Sequence, residues 1–187
     1  MKKLWLSLAL VLLSYPANAA LDYGLEAGIR QQSGDVAGLN FSANARTGFQ
    51  GGVFAHLPLQ GGVAHFRSGL FYTQRPLESE SDITGEKIQY NLDYIDIPID
   101  ILFKPHEQFG VYLGFIAAIN IADSCSGNPN CRVLDIDTPS FPMVFGGIFK
   151  ITPKFGANFY FDGVNGSVAR GLGNYKAVGF NLMYSMD

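Results

Sequence analysis

Residues 95 to 101 read Ile-Asp-Ile-Pro-Ile-Asp-Ile. An extended chain puts Ile95, Ile97, Ile99 and Ile101 on one face and Asp96, Pro98 and Asp100 on the other. A period of 2 is a strand signal; an amphipathic helix repeats every 3.6 residues. The alternation recurs along the chain. Tyr23, Leu25, Ala27 and Ile29 oppose Gly24, Glu26, Gly28 and Arg30. Phe49, Val53, Ala55, Leu57 and Leu59 oppose Gln50, Gly52, Phe54 and His56. Ala64, Phe66, Leu70 and Tyr72 oppose His65, Arg67, Gly69 and Thr73. Four more runs follow, led by Phe109, Phe145, Phe155 and Val178. The pattern predicts eight strands.

The predicted connections alternate in length. After strands 2, 4 and 6 they are short, covering 59–62, 105–108 and 152–154. After strands 1, 3, 5 and 7 they are long, about 31–44, 76–90, 122–140 and 163–174. Short turns on one rim and long loops on the other are the plan of an outer-membrane barrel, with the turns on the periplasmic side. The apolar faces are almost free of charge. Their opposite faces hold Glu26, Arg30, His56, His65, Arg67, Arg75, Asp96, Asp100, Lys150 and Asp162. A soluble barrel would reverse this arrangement. The expected fold class is therefore all-β, an eight-stranded antiparallel up-and-down transmembrane β-barrel, closed so that no strand edge meets lipid. Eight strands leave an interior only wide enough for side chains to fill.

The first residues follow a different rule. Lys2 and Lys3 precede ten apolar-rich residues, Leu4 to Leu13; Tyr15-Pro16 interrupts them, and Ala17-Asn18-Ala19 supplies small residues. This is the layout of a cleaved export signal, and ten residues are too few to span a bilayer, which needs about 20. The expected organisation is a signal peptide over 1–19 and a barrel domain over 20–187. Composition agrees: 48% hydrophobic, 16% charged, 22 glycines and 15 phenylalanines argue against disorder and against a helical bundle. A net charge of −3 gives no footprint for nucleic acid.

Arg46 to Leu59, Phe66 to Gln74, Tyr94 to Lys104 (YIDIPIDILFK) and Gly110 to Ala118 (GVYLGFIAA) resemble strands of the small outer-membrane β-barrels of the OmpA/OmpX type, and most of all the PorT-like barrel family. The resemblance implies an eight-stranded barrel and carries over no catalytic residue. Many such barrels finish on an aromatic residue read by the assembly machinery. This chain instead ends Tyr184-Ser185-Met186-Asp187.

Two constellations carry chemistry. Cys125 and Cys131 are the only cysteines and flank five residues of the longest predicted loop. In an oxidising compartment they are expected to form a disulfide. Closing so short a loop contributes about 2–3 kcal/mol at most. The second constellation is a lumen charge network of Glu26, Arg30, Arg67, Arg75, Asp96, Asp100, Lys150 and Asp162, expected to form a plug of ion pairs because unpaired buried charge is costly. His56 faces His65 or Arg67, depending on which two residues make the first turn. No metal site, cofactor or catalytic set is expected, and the acidic run Glu78, Glu80, Asp82, Glu86 does not match a spaced calcium loop. The sequence thus predicts a monomer of the outer membrane, in contact with its lipids and lipopolysaccharide and with the assembly machinery, acting structurally or binding an unknown surface ligand through four outer loops. The rival readings are a narrow small-solute channel, an exported lipocalin-like carrier with its apolar faces inward, and a lipid-modifying enzyme.

Overall fold

The computed structural model describes residues 21–38, 40–59, 62–129 and 131–186. The expected signal segment lies outside the described residues. Among these there are nine strands and no helix. They are β1 (Asp22–Val36), β2 (Phe41–Pro58), β3 (Ala64–Ser81), β4 (Lys87–His106), β5 (Phe109–Ser126), β6 (Met143–Lys150), β7 (Phe155–Gly163), β8 (Ser167–Ala169) and β9 (Leu172–Ser185). Every pairing is antiparallel, and β9 pairs with β1, so the eight long strands close into a ring. The ninth strand, β8, is a three-residue addition inside the connection between β7 and β9.

Register fixes the shape. Moving from partner to partner around the ring runs Asp22, His56, Arg67, Asp100, Gly114, Val144, Asp162 and Ala177. It returns to β1 at Gln32, ten positions beyond its start. An offset of about 33 Å across eight strands about 4.8 Å apart tilts the strands by about 40° from the barrel axis.

Two expectations about the connections need correction. The strands on the long-loop rim run further than their alternation suggested. Only 82–86 separate β3 from β4, and only 37–40 separate β1 from β2. Polar residues such as Glu78, Glu80 and Gln89 continue the ladder, because pairing needs only backbone groups. β3 and β4, at 18 and 20 residues, far exceed the roughly 9–11 residues that cross a bilayer, so their hairpin rises beyond it.

The faces are sorted as the alternation predicts. Asp96 and Asp100 are buried, whereas Ile99 and Phe115 are about half exposed on the outside. Phe145, Phe159, Phe161, Leu113 and Leu182 also look outward. Towards the short-turn rim the exterior carries an aromatic girdle that includes Tyr23, Phe103, Phe109, Phe149, Phe155 and Tyr184. Among the described residues no helix is long and apolar enough to cross a membrane.

Candidate functional site

The interior is the part of the molecule where charge is concentrated and buried, and three polar nodes divide it. At the short-turn rim Asp22 is the hub. Its Oδ2 accepts from Lys104 at 2.8 Å and Lys150 at 3.0 Å and lies 3.0 Å from His56 Nδ1; its Oδ1 accepts from Ser185 at 3.0 Å. One carboxylate thus ties β1 to β2, β4, β6 and β9.

The middle node centres on Glu26 and Arg67. Glu26 Oε1 accepts from Asn158 at 2.6 Å and Asn181 at 2.7 Å. Arg67 donates to Asp100 at 2.6 Å and to Glu26 at 3.4 Å, and its guanidinium lies 4.3 Å from the centre of the Tyr112 ring. Gln50 accepts from Asn181 and donates to Thr73. The upper node holds two pairs: Arg30 with Asp162 at 2.9 Å, and Arg75 on both oxygens of Asp96 at 2.9 and 3.0 Å, over the Tyr94 ring. All of these side chains except the two lysines are almost fully withdrawn from solvent.

Apolar collars separate the nodes. Phe54, Leu102, Ile148 and Met183 lie between the first and second; Phe71, Pro98, Ile116 and Val144 lie between the second and third. Large rings fit because glycines oppose them. A Cβ on Gly146 would strike the Tyr112 ring, and one on Gly179 would strike the Tyr160 ring. Above the third node the loops themselves form a lid. Val168, Leu172 and Tyr175 are buried against Leu77, Leu92 and Tyr94, with Val133 and Ile136 packed alongside. The two lid loops are joined by backbone bonds, Asp137 N to Val168 O and Arg170 N to Leu134 O, both 2.8 Å, and by an Arg170–Asp135 ion pair.

All eight residues expected in the lumen network are inside, but their partners differ from simple neighbourhood. Arg67 stands directly opposite Asp100. Glu26 and Arg30, on one face of β1, serve different nodes. Lys150 reaches Asp22. His56 stands opposite Arg67 rather than His65. Two members were missed, Asp22 and Lys104. Both continue an alternation already visible, Asp22-Gly24-Glu26 and Asp100-Leu102-Lys104, by one step. The collars and lid were also missed, because inward apolar residues carry no pattern of their own. Beyond the lumen, hydrogen bonding to Lys87 holds the Glu78 carboxyl below its ordinary pKa, and Glu78 and Glu80 raise that of Lys87.

Cys125 and Cys131 are joined by a disulfide at the root of the loop leading to β6, with their Cα atoms 5.7 Å apart. Thiol titration of the oxidised, denatured protein is expected to find no free thiol. Replacing both by serine is expected to cost about 2–3 kcal/mol at most, since the closed loop is short. A larger loss on denaturant titration would contradict a purely local role.

A closed ring of strands with a greasy exterior, charge inside and sorted loops defines a transmembrane β-barrel. The model of the outer membrane protein beta-barrel domain family matches residues 16–176, and the chain belongs to that family. It is a protein of the cell outer membrane. No curated protein matches the sequence. Fourteen chains of solved structures match it. One is Ail, the attachment invasion locus protein of Yersinia pestis, in complex with the heparin analogue sucrose octasulfate. It is 14% identical, with a TM-score of 0.51, over 89% of this chain and 99% of Ail. Another is the outer membrane protein OprG of Pseudomonas aeruginosa, 13% identical, with a TM-score of 0.42, over 89% and 94% of the two chains. At such identity the likeness to Ail speaks for the fold alone. The carrier reading, which needs the apolar faces inside, is overturned by the family and by the outward phenylalanines.

Proposed function

We propose that the chain is a monomeric barrel with a closed lumen, serving as a rigid scaffold whose long-loop rim faces the cell exterior and binds a surface partner. The lipids and lipopolysaccharide of the outer membrane surround it, and the assembly machinery inserts it. The observation that carries this reading is charge balance inside. Asp22, Glu26, Asp96, Asp100 and Asp162 meet Arg30, Arg67, Arg75, Lys104 and Lys150, five of each sign, and every one has an opposite charge within 3.4 Å. A column without net charge, crossed by two apolar collars and roofed by a lid, offers a solute neither a path nor an attraction. A void beside Gln50, Arg67, Tyr112 and Asn158 within it measures about 20 Å³, room for about one water. Planar-bilayer recordings are expected to stay at baseline. Stable, sizeable conductance would instead favour the narrow small-solute channel.

The ligand of Ail is a poor guide to the partner. On the long-loop rim Asp35, Glu78, Glu80, Asp82, Glu86, Asp93, Asp123, Asp135 and Asp137 outnumber Arg46, Lys87, Arg132, Arg170 and Lys176, nine against five. Such a surface repels a sulfated polyanion and favours a neutral or cationic partner. An enzymatic role has little support. His56 is locked on Asp22, and His65 and His106 also lie towards the short-turn rim, remote from the loops.

A further inference from the structure

The lipid-facing band is not level. Register converts to height: with the tilt above, each residue along a strand climbs about 2.5 Å and each step around the ring about 3 Å. Measured from Asp22, the uppermost outward apolar residues on six strands, such as Ile29, Phe49, Tyr72 and Val178, stand at about 16–22 Å. Polar residues replace them at the next outward positions: Gln31, Thr47, Gln74 and Lys176. On β5 the apolar face continues. Ile119 stands at about 25 Å and Ile121 at about 29 Å, with Phe141 of the adjoining loop at about 23 Å. These three are 43%, 53% and 58% exposed. Ser140 pairs with Ala118 and is buried, which turns Phe141 outward beside them.

This ledge joins Phe115 and Met143 without a polar break, so it continues the lipid-facing surface. It offers aliphatic carbon and one phenyl ring, with none of the Trp, Tyr or Arg anchors that mark protein hot spots. Its position is the decisive point. In the ring order β1-β2-β3-β4-β5-β6-β7-β9, β5 is four steps from β1 in either direction and so lies diametrically opposite. On β1 the apolar face ends earliest but one, at Ile29, and on the short-turn rim the two strands begin at similar levels, Leu21 and Phe109. The middles of the two apolar stripes therefore differ in height by about 7 Å. A bilayer minimises exposed apolar surface by letting the protein tilt.

We infer that the barrel leans by roughly 20° towards β5, so that acyl chains of the outer leaflet cover Ile119 and Phe141 while Ile121 comes level with Gln31 and Lys176 of the far wall at the headgroup boundary. The inference rests on the outer-membrane assignment and not on the closed lumen or on any surface partner.

The test exploits tryptophan content. The sole tryptophan is Trp5, so a chain expressed without residues 1–19 has none. Ile121→Trp and Gln31→Trp each introduce one reporter on an outward surface position. Both variants are refolded into phosphatidylcholine vesicles and read by quenching from lipids brominated at shallow and deep positions. An upright barrel places Gln31→Trp deeper, because position 31 stands about 7 Å below position 121. A lean that levels the two stripes cancels this difference: the two reporters are quenched alike by shallow and deep bromines and emit at similar wavelengths. An Ile121→Trp reporter that stays about 7 Å shallower than Gln31→Trp, or an Ile119→Trp reporter open to aqueous iodide, overturns the proposal and leaves the ledge to a protein partner. Retained heat-modifiable migration certifies each variant as folded, and Ile119→Trp supplies a second reporter on the same ledge if Ile121→Trp fails that check.

Discussion

Arg67→Leu is expected to destabilise the folded barrel by about 3–5 kcal/mol, the range found when one member of a buried ion pair is removed. The loss of attraction is the smaller part. Arg67 is 4% exposed, and it is the only cation bonded to both Asp100 and Glu26 among the described residues. Without it Asp100 keeps no bonded partner, while Glu26 still accepts from Asn158 and Asn181. The stranded charge is thus mainly Asp100. That asymmetry gives the prediction a second arm: Arg67→Leu combined with Asp100→Asn should recover part of the loss, whereas combination with Glu26→Gln should recover less. Urea titration of the protein in vesicles, followed by the shift between folded and unfolded gel bands, reads both. A single-variant loss below about 1 kcal/mol, the level of a surface pair, would mean that the node is wet and the lumen open.

The fold was legible because lipid imposes a rule with few exceptions. Every exterior position along the bilayer must be apolar, so Ile95 to Ile101 reads as a strand and its outward side without reference to any other residue. Strand ends were less legible for the converse reason. Once β3 and β4 leave the bilayer, solvent accepts Glu78, Gln89 or Asn91 as readily as a loop would, and only backbone pairing marks the strand. The interior was half legible. Charges at alternate positions announced themselves, and Arg67 opposite Asp100 followed from neighbouring strands. Partners across the barrel did not: Glu26 with Asn158, or Arg30 with Asp162, depend on the ten-residue register offset, which no local pattern encodes. The lid was hidden for a related reason. Val133 and Ile136 lie in one loop and Val168 and Leu172 in the short β8 and at the start of β9, and they form a core only because the ring brings two distant connections over one mouth.

Leu113→Arg separates a lipid-facing wall from one that faces water. Leu113 looks outward, is 56% exposed, and stands near the middle of the apolar band on β5. In water, a change at so exposed a position stays within about 0.5 kcal/mol. At the midplane of a bilayer, an arginine on the outer wall of a barrel costs about 2–4 kcal/mol, falling to about 0–1 near the interfaces. The expected result is therefore depth-dependent: a loss of about 2–4 kcal/mol for Leu113→Arg and of at most about 1 kcal/mol for Gln31→Arg, at the polar boundary of β1. Both are measured by reversible unfolding in vesicles, against the same pair in detergent, where the mobile micelle should flatten the difference. Equal and small effects at both positions would mean that the phenylalanine-rich exterior does not meet acyl chains. A large effect at both would implicate packing against another protein at position 31, where an arginine in the headgroup layer has no reason to destabilise.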